Sequence, residues 1–197
     1  MAHPQPANAR KRSLQINKTT RRPRILLAAC GSVGALKFDI ICREFCKWAE
    51  IKAVATKASL NFMDMKSFRR GVPLYADERE WSDWKKEGDS VLHIELREWA
   101  DIMVIAPLSA NTLAKIAGGL CDNLLTSIVR AWDYTKPIFV APSMNAFMWS
   151  LSITEEQLKS IDELGISCIR PKNGVMPEIH DINDTVRLFL GTREFTD

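Results

Sequence analysis

A run of four apolar residues that ends in a proline and a polar turn is the feature that most constrains this fold. The run covers residues 138–141, and Pro142 and Ser143 follow it. An apolar run of this length between turn residues is typical of a parallel strand that is buried on both faces. Because open α/β sheets bind ligands at the carboxyl ends of their strands, the pattern predicts a site in residues 142–149.

Asn145 is the residue of this turn that best suits a substrate. Its uncharged amide offers two donors and one acceptor, and Met144, Phe147 and Met148 surround it in the sequence. This setting favours a substrate carboxylate held in a partly dry pocket. The alternative that the pattern leaves open is a buried turn asparagine that bonds to its own backbone.

Length and composition predict one α/β domain. The 197 residues suffice for one such domain, and no apolar run is long enough to span a bilayer, so we expect no membrane role. The five cysteines form no CxxC pair and no apolar signal segment opens the chain, which predicts reduced thiols in a cytoplasmic protein. The three histidines have no partners at ligand spacing, so no metal site is expected.

The basic charge of the chain is concentrated near its N-terminus. Residues 1–24 hold seven of the 27 basic residues and none of the 24 acidic ones, so the remainder has a net charge of −4. A mildly acidic body argues against a nucleic-acid-binding domain. We expect a basic disordered tail over 1–22, a domain over 23–190 and a C-terminal tail over 191–197. Alternatively, the basic tail contacts RNA, an acidic partner or an import receptor.

A second strand and turn open the domain. The apolar run 24–30 ends in Gly31-Ser32-Val33-Gly34, and residues 35–48 show apolar side chains at helical spacing. Such a turn presents backbone N–H groups and a hydroxyl at a helix N-terminus, which suits a phosphate. The turn lacks the third glycine of the dinucleotide fingerprint and a Walker lysine, so it fits a mononucleotide better than NAD or ATP.

A third strand, predicted over 102–106, ends in a polar turn that contains Ser109, Asn111 and Thr112. These side chains could bond the edge of a heterocycle or a ribityl chain, and simple N-capping by Ser109 or Asn111 is the alternative. A lone histidine such as His93 is more often structural than catalytic. The other predicted elements are strands over 51–56, 73–75 and 166–169, a helix that starts in 57–62, and helices over 121–132, 154–164 and 184–190, with Thr154 as an N-cap.

Several of these stretches together resemble one family, the flavin-dependent cysteine decarboxylases, and most closely its plant halotolerance-type phosphopantothenoylcysteine decarboxylases. The resemblance extends from about Arg22 to about Leu190, and the Pro-x-Met-Asn-x-x-Met-Trp motif is its most specific part. The matching stretches are Gly31-Ser32-Val33 with Lys37, residues 93–97, residues 106–112, and Pro142-Ser143-Met144-Asn145 with Met148-Trp149.

The resemblance implies a flavodoxin-like (Rossmann-like) three-layer α/β sandwich with a parallel sheet. It also implies a homotrimer with FMN at the subunit boundary. By position, Gly31, Ser32 and Val33 would bind the FMN phosphate, and the flavin would be lined by Ser59, Phe62, Ser109, Ala110, Asn111, Thr112 and Ala141. His93 would be the catalytic histidine, while Asn145, aided by Met144 and Arg97, would hold the substrate carboxylate.

The implied reaction is the decarboxylation of a small-molecule cysteine thiol, most closely 4'-phosphopantothenoylcysteine in coenzyme A biosynthesis. The flavin would oxidise the carbon that bears sulfur to a thioaldehyde, which serves as the electron sink for the loss of CO₂. The resulting enethiol is reduced in the family's coenzyme A enzymes, where a cysteine on a flap protonates the intermediate.

The sequence departs from the family at this flap. The family's cysteine lies shortly before an Asn-Gly-Ala-Met-Ala-Glu segment, whose counterpart here is residues 173–178, and residues 169–172 contain no cysteine. The resemblance, together with this missing cysteine, therefore predicts a protein that decarboxylates its substrate but does not complete the reduction of the enethiol efficiently. The alternatives are the complete enzyme with Cys168 as a substitute, a non-catalytic phosphatase-regulating flavoprotein, and a mixed trimer with a cysteine-bearing paralogue.

Overall fold

The computed structural model describes residues 20–196 except 67, 69 and 70. The strands are β1 Thr20–Arg21, β2 Arg24–Ala29, β3 Glu50–Ala55, β4 Leu74–Ala76, β5 Ile102–Leu108, β6 Ile138–Pro142, β7 Ile166–Cys168 and β8 Phe195–Thr196. The α-helices are α1 Phe38–Cys46, α2 Asp77–Asp83, α3 Leu92–Trp99, α4 Ala110–Ala117, α5 Leu124–Arg130, α6 Ala146–Trp149, α7 Ser152–Glu163 and α8 Ile179–Leu190. Short 3-10 helices cover Val33–Lys37 and Ser59–Asn61.

Six strands form one parallel sheet in the order β4-β3-β2-β5-β6-β7. The strand order reverses between β2 and β5, and the carboxyl edge at such a reversal is where open α/β sheets bind ligands. The predicted parallel sheet is confirmed. The turns at Ser32 and Ser109 follow the two strands that flank the reversal.

Both faces of the sheet are covered by helices, as the apolar strands predicted. In β2, Ile25 and Leu27 pack with α1 and α8 on one face, whereas Leu26 and Ala28 pack with α3, α4, α5 and α7 on the other. All four side chains are fully buried. The predicted three-layer sandwich is thereby confirmed.

The structure corrects three local predictions. The helix after Gly34 begins as a 3-10 turn, which leaves Leu36 and Ile40 exposed, so the predicted apolar face is rotated. Thr154 does not cap α7 but lies inside it, where its hydroxyl donates to the carbonyl of Met148 at 2.6 Å. The segment after Lys57 forms only one 3-10 turn.

The two ends of the described chain meet in a second sheet. Strands β1 and β8 pair antiparallel, with Arg21 opposite Phe195. The guanidinium of Arg21 donates to both carboxylate oxygens of Asp101, at 2.7 and 2.9 Å, and the Arg24 N–H donates to the same carboxylate. Residues 20–21 and 195–196, which the sequence analysis assigns to tails, are thus attached to the domain. None of the helices described is long and apolar enough to cross a membrane.

Candidate active site

The three central strands β2, β5 and β6 each lead into a polar residue that caps the next helix. The Ser32 hydroxyl accepts from the N–H of Gly34 at 3.4 Å, and that of Ser109 accepts from Thr112 at 3.2 Å. The side-chain oxygen of Asn145 accepts from the N–H of Met148 at 2.9 Å. Because parallel strands end at the same edge, three helix starts with unpaired N–H groups face one region.

A cavity of about 640 Å³ lies in this region. Its lining combines apolar side chains with the polar residues of the three turns. The lining residues are Gly31, Ser32, Val33, Gly34, Leu36, Lys37, Phe62, Ser109, Ala110, Asn111, Ser143, Met144, Asn145, Met148, Gly174, Val175 and Met176. Of the predicted cofactor and substrate residues, Gly31, Ser32, Val33, Phe62, Ser109, Ala110, Asn111, Met144 and Asn145 are therefore brought together.

The glycine turn after β2 is fixed by close packing. A Cβ on Gly31 would lie 2.5 Å from the Cβ of Ala58, and one on Gly34 would lie 2.9 Å from the hydroxyl oxygen of Ser143. The hydroxyl of Ser32 donates to that of Ser143 at 2.7 Å, which ties the turn to the end of β6. The N–H groups of Ser32 and Val33 donate to no residue that the structure describes. The turn therefore offers free donors to an anion.

A smaller cavity of about 310 Å³ adjoins the first. Gly31, Ser109 and Asn111 line both cavities, and Thr112 lines the smaller one. The two cavities therefore share the N-terminus of α4. In the smaller cavity Lys115 donates to both carboxylate oxygens of Asp122, at 2.9 and 2.7 Å, so its charge is locally balanced.

Asn145 combines the two roles that its sequence context left open. Its side-chain oxygen caps α6, as expected for a turn asparagine, but the residue is exposed and lines the cavity. The hydrogen bond to Met148 fixes which end of the amide is the oxygen. The amide nitrogen donates to none of the described residues, so it is free to donate to a carboxylate.

A two-residue turn after β7 closes one side of the cavity, where Gly174 and the next two residues line it. Asn173 and Gly174 have φ values of 51° and 79°, and the N–H of Val175 donates to the carbonyl of Lys172 at 3.0 Å. Positive φ at both central residues defines a type I′ turn, which Asn-Gly favours. The carbonyl of Gly174 accepts from the N–H of Met144 at 2.9 Å. The turn is thus attached to the segment that carries Asn145.

No described cysteine lines this cavity. Cys30 is fully buried beneath it, and burial raises the pKa of its thiol to about 11 against smaller opposing effects of Thr112 and Ser109. Burial likewise raises the pKa of Cys168 to about 11. Both thiols stay protonated at neutral pH, and neither faces the region where a substrate would sit.

Three predicted cofactor residues do not line the larger cavity, although Thr112 lines the smaller one. Ser59 and Ala141 are fully buried and Thr112 is 3% exposed. The hydroxyl of Ser59 donates to the carbonyl of Thr56 at 2.7 Å, and that of Thr112 accepts from Ser109 at 3.2 Å. These three side chains shape the wall.

His93 and Arg97 do not line this cavity. Both are on α3, where the Nδ1 atom of His93 is hydrogen-bonded to the buried carboxylate of Glu80. Arg97 lies one turn nearer the amino edge of the sheet, close to Asp133. Hydrogen bonds from Thr135 and, less strongly, the charges of Arg97 and Lys136 lower the pKa of Asp133. Arg97 therefore faces the edge opposite the cavity.

Sequence reasoning missed Glu80. It precedes His93 by 13 residues on a different helix, and no local pattern joins the two positions. Its signal in the sequence is only that of one acid among several in residues 77–83. Among the residues described, no group of three or more His, Cys, Asp or Glu side chains could hold a metal ion.

Comparisons with known proteins identify the family of this chain. The model of the Flavoprotein family matches residues 13–191. The chain is 59% identical to phosphopantothenoylcysteine decarboxylase HAL3a of Glycine max, with 98% of this chain and 96% of the relative covered. It is similar to the solved FMN binding protein AtHal3, with a TM-score of 0.86, 60% identity, and coverage of 88% of this chain and 99% of that one.

A second solved structure adds a ligand to the comparison. It is a cysteine-to-serine variant of a PPC decarboxylase in complex with pantothenoylaminoethenethiol, with a TM-score of 0.86, 60% identity, and coverage of 87% of this chain and 100% of that one. The fold, the motifs and these similarities all indicate the same family. The chain belongs to the Flavoprotein family and, within it, to the HAL3-type phosphopantothenoylcysteine decarboxylases.

Proposed function

We propose that this chain binds FMN at the carboxyl edge of its sheet and decarboxylates the cysteine end of phosphopantothenoylcysteine. One observation carries the proposal. Ser32, Val33 and Asn145 line one cavity, and within the described chain the backbone N–H groups of the first two and the amide nitrogen of the third have no acceptor. The N–H groups suit a phosphate and the amide suits a carboxylate, which are the anionic groups of the cofactor and the substrate.

The residues present fit FMN. Gly31, Ser32 and Val33 would hold its phosphate, because the turn offers N–H groups without an acceptor in the described chain and Gly31 lets it pack against Ala58. The ring would lie along the remaining cavity residues, which are Phe62, Ser109, Ala110 and Asn111, with Ser59, Thr112 and Ala141 supporting the wall. Bound FMN supplies the acceptor for the two electrons lost when the thiol-bearing carbon becomes a thioaldehyde.

Asn145 would orient the substrate carboxylate. Its oxygen is occupied by Met148, so the amide nitrogen is the group that donates. An amide binds a carboxylate without a full positive charge. A full positive charge would stabilise the carboxylate before the reaction and so oppose the loss of CO₂. The apolar side chains of Met144, Met148 and Val175 would reduce the hydration of the bound carboxylate. When the bond to the carboxylate breaks, its electron pair moves towards the thioaldehyde sulfur, which gives CO₂ and an enethiolate that takes a proton from water. Dissolved O₂ would accept the two electrons left on the cofactor before the next turnover.

His93 would serve a neighbouring protomer, in a homotrimer with FMN at the boundary. The support is that His93 lies outside its own cavity while apolar side chains at the cavity mouth are uncovered. Val33 and Val175 line the cavity and are 66% and 68% exposed, and Phe147, on the helix that Asn145 caps, is 85% exposed. Exposed apolar side chains of this size beside one site are typical of an interaction surface. Arg97 would approach a substrate only across such a boundary. We place the protein in the cytoplasm, where its five free cysteines stay reduced.

The proposed reaction ends at the enethiol. Protonation of an enethiol carbon requires a donor beside the substrate, and the described part of the cavity lining offers no thiol. Cys168 is a poor substitute, because it is in β7 and burial raises its pKa to about 11. The short turn at Asn173 and Gly174 would take the place of the family's flap, and residues 169–178 contain no cysteine.

Incubation of the FMN-loaded protein with phosphopantothenoylcysteine tests this function. We expect CO₂ and a product lighter than phosphopantetheine by two hydrogen atoms, both absent with the His93→Asn variant. Formation of phosphopantetheine would refute the enethiol endpoint. No CO₂ from the wild-type protein would refute the decarboxylase function.

A partner-dependent flavoprotein is the second candidate, favoured by the same thiol-free cavity. In a mixed trimer this chain would contribute His93 and a paralogue would contribute the cysteine. Coexpression with a cysteine-bearing paralogue distinguishes the two. The second candidate predicts phosphopantetheine formation above that of either protein alone, whereas the first predicts no gain.

A further inference from the structure

Glu80 is a buried carboxylate on α2, a helix that consists mostly of charged residues. It is 8% exposed, whereas Glu78 on the same helix is exposed. Helix α2 packs against α3 and α5, which places Glu80 at a helix interface. Burial of a carboxylate is costly unless a hydrogen-bonding partner compensates for the lost water. Within the described chain, the partner of Glu80 is His93.

The contact between Glu80 and His93 determines which ring nitrogen is free. The Oε1 atom of Glu80 is hydrogen-bonded to Nδ1 of His93. An ionised carboxylate only accepts hydrogen bonds, so Nδ1 carries the proton and the neutral ring keeps its lone pair on Nε2. The His93 side chain is 25% exposed, and Nε2 has no hydrogen-bonding partner in the part of the chain described.

We propose that Glu80 is the positioning residue of His93. It fixes the tautomer with Nδ1 protonated and holds the ring so that Nε2 remains available as a base. This inference rests on the proposed function, in which His93 is the catalytic histidine. The physical logic is that of any buried carboxylate that orients a catalytic imidazole. Because Glu80 acts through His93, it does not touch the substrate.

The Glu80→Gln variant tests the kinetic consequence. A glutamine can donate to Nδ1 as well as accept from it, so both tautomers become populated and part of the protein presents N–H at Nε2. We expect kcat for CO₂ release to fall about tenfold or more, with KM little changed because Asn145 is untouched. Glu78→Gln is the matched control, since it makes the same charge change at an exposed position of α2. Its kcat should stay within about twofold of the wild-type value.

Nitrogen NMR of histidine-labelled protein tests the tautomer without reference to activity. The chain has three histidines, and the signal lost in His93→Asn identifies the one of interest. We expect a proton on Nδ1 in the wild-type protein and a mixture of tautomers in Glu80→Gln. This NMR result in a protein that releases no CO₂ would support the positioning role of Glu80 and would contradict the proposed function. A wild-type proton on Nε2, or equal kcat values for Glu80→Gln and Glu78→Gln, would overturn the inference.

Discussion

At the scale of single residues, Asn145 links the architecture of the turn to its chemistry. Its oxygen is needed for the cap of α6, and its nitrogen is free for a ligand. Asparagine is suited to this position because one side chain supplies an acceptor for the backbone and a donor for the substrate. An aspartate would keep the first role and lose the second.

The Asn145→Asp variant separates these roles. We expect the free energy of unfolding, measured by chemical denaturation, to stay within about 0.5 kcal/mol of the wild-type value, because aspartate caps helices equally well. We expect kcat/KM for decarboxylation to fall at least about 100-fold, since a donor to the carboxylate is replaced by a like charge. A variant that is unstable, or that is stable and fully active, would contradict this division.

Gly174 is the residue of the closing turn that tolerates change least. It has a φ of 79°, and an added Cβ would lie 2.6 Å from the carbonyl oxygen of Met144. We expect Gly174→Ala to reduce the free energy of unfolding by roughly 2–4 kcal/mol through backbone strain and this clash. Gly165→Ala is the control, because Gly165 has a φ of 88° with no atom within 4 Å. It should cost only about 1 kcal/mol. Equal losses in the two variants would mean that the contact with Met144 is unimportant.

At the scale of secondary-structure elements, α3 is held by charge at its C-terminus. The ammonium of Lys136 donates to the carbonyls of Arg97, Glu98 and Ala100 at 3.2, 3.4 and 2.8 Å. These carbonyls end the helix and carry its negative dipole, so a cation there is stabilising. The contact fixes the helix that carries His93, two turns from the ring itself.

The connection of β1 to the domain is sensitive to acid. Burial raises the pKa of Asp101, but hydrogen bonds from Arg21 and the Arg24 N–H, with the charges of Arg21 and Lys136, outweigh it and lower the pKa below its ordinary value of 3.8. A carboxyl group with a lowered folded pKa stabilises the folded state at neutral pH. This stability is lost as the pH falls below 3.8 through the folded pKa.

Denaturation of Asp101→Asn as a function of pH tests this connection. We expect the variant to be less stable than the wild type by about 1–3 kcal/mol near neutral pH. The difference should shrink as the pH falls below 3.8. Glu155→Gln removes the exposed pair with Arg170 and should cost less than about 1 kcal/mol at any pH. A stability difference for Asp101→Asn that did not change with pH would contradict the pKa assignment.

At the scale of the whole molecule, the sequence predicted best what depends on local patterns. The apolar runs of β2, β5 and β6 end where polar turns begin, so the sheet and its ligand-binding edge followed from the pattern itself. The 3-10 turn that begins the helix after Gly34 did not follow from the pattern. Such a turn changes which side chains face the core. That shift exposes Leu36.

Pairs that lie far apart in sequence were beyond local reasoning. The contact between Glu80 and His93 depends on how α2 packs against α3. The hydrogen bond from the N–H of Met144 to the carbonyl of Gly174 depends on where the turn at Asn173 and Gly174 meets the end of β6. The sequence also could not show that Asn145 has two roles, because both helix capping and carboxylate binding are compatible with an asparagine. Each of these features is set by tertiary packing.

The central claim is that the turn at Ser32 and Val33 holds the phosphate of a flavin mononucleotide, and a binding titration tests it most directly. Fluorescence and absorbance can follow the addition of FMN, and separately of riboflavin, to purified protein freed of flavin. We expect one FMN to bind per chain, and riboflavin to bind at least about tenfold more weakly because it lacks the phosphate that the free N–H groups would contact. No binding of FMN, or equal affinity for the two flavins, would contradict the account.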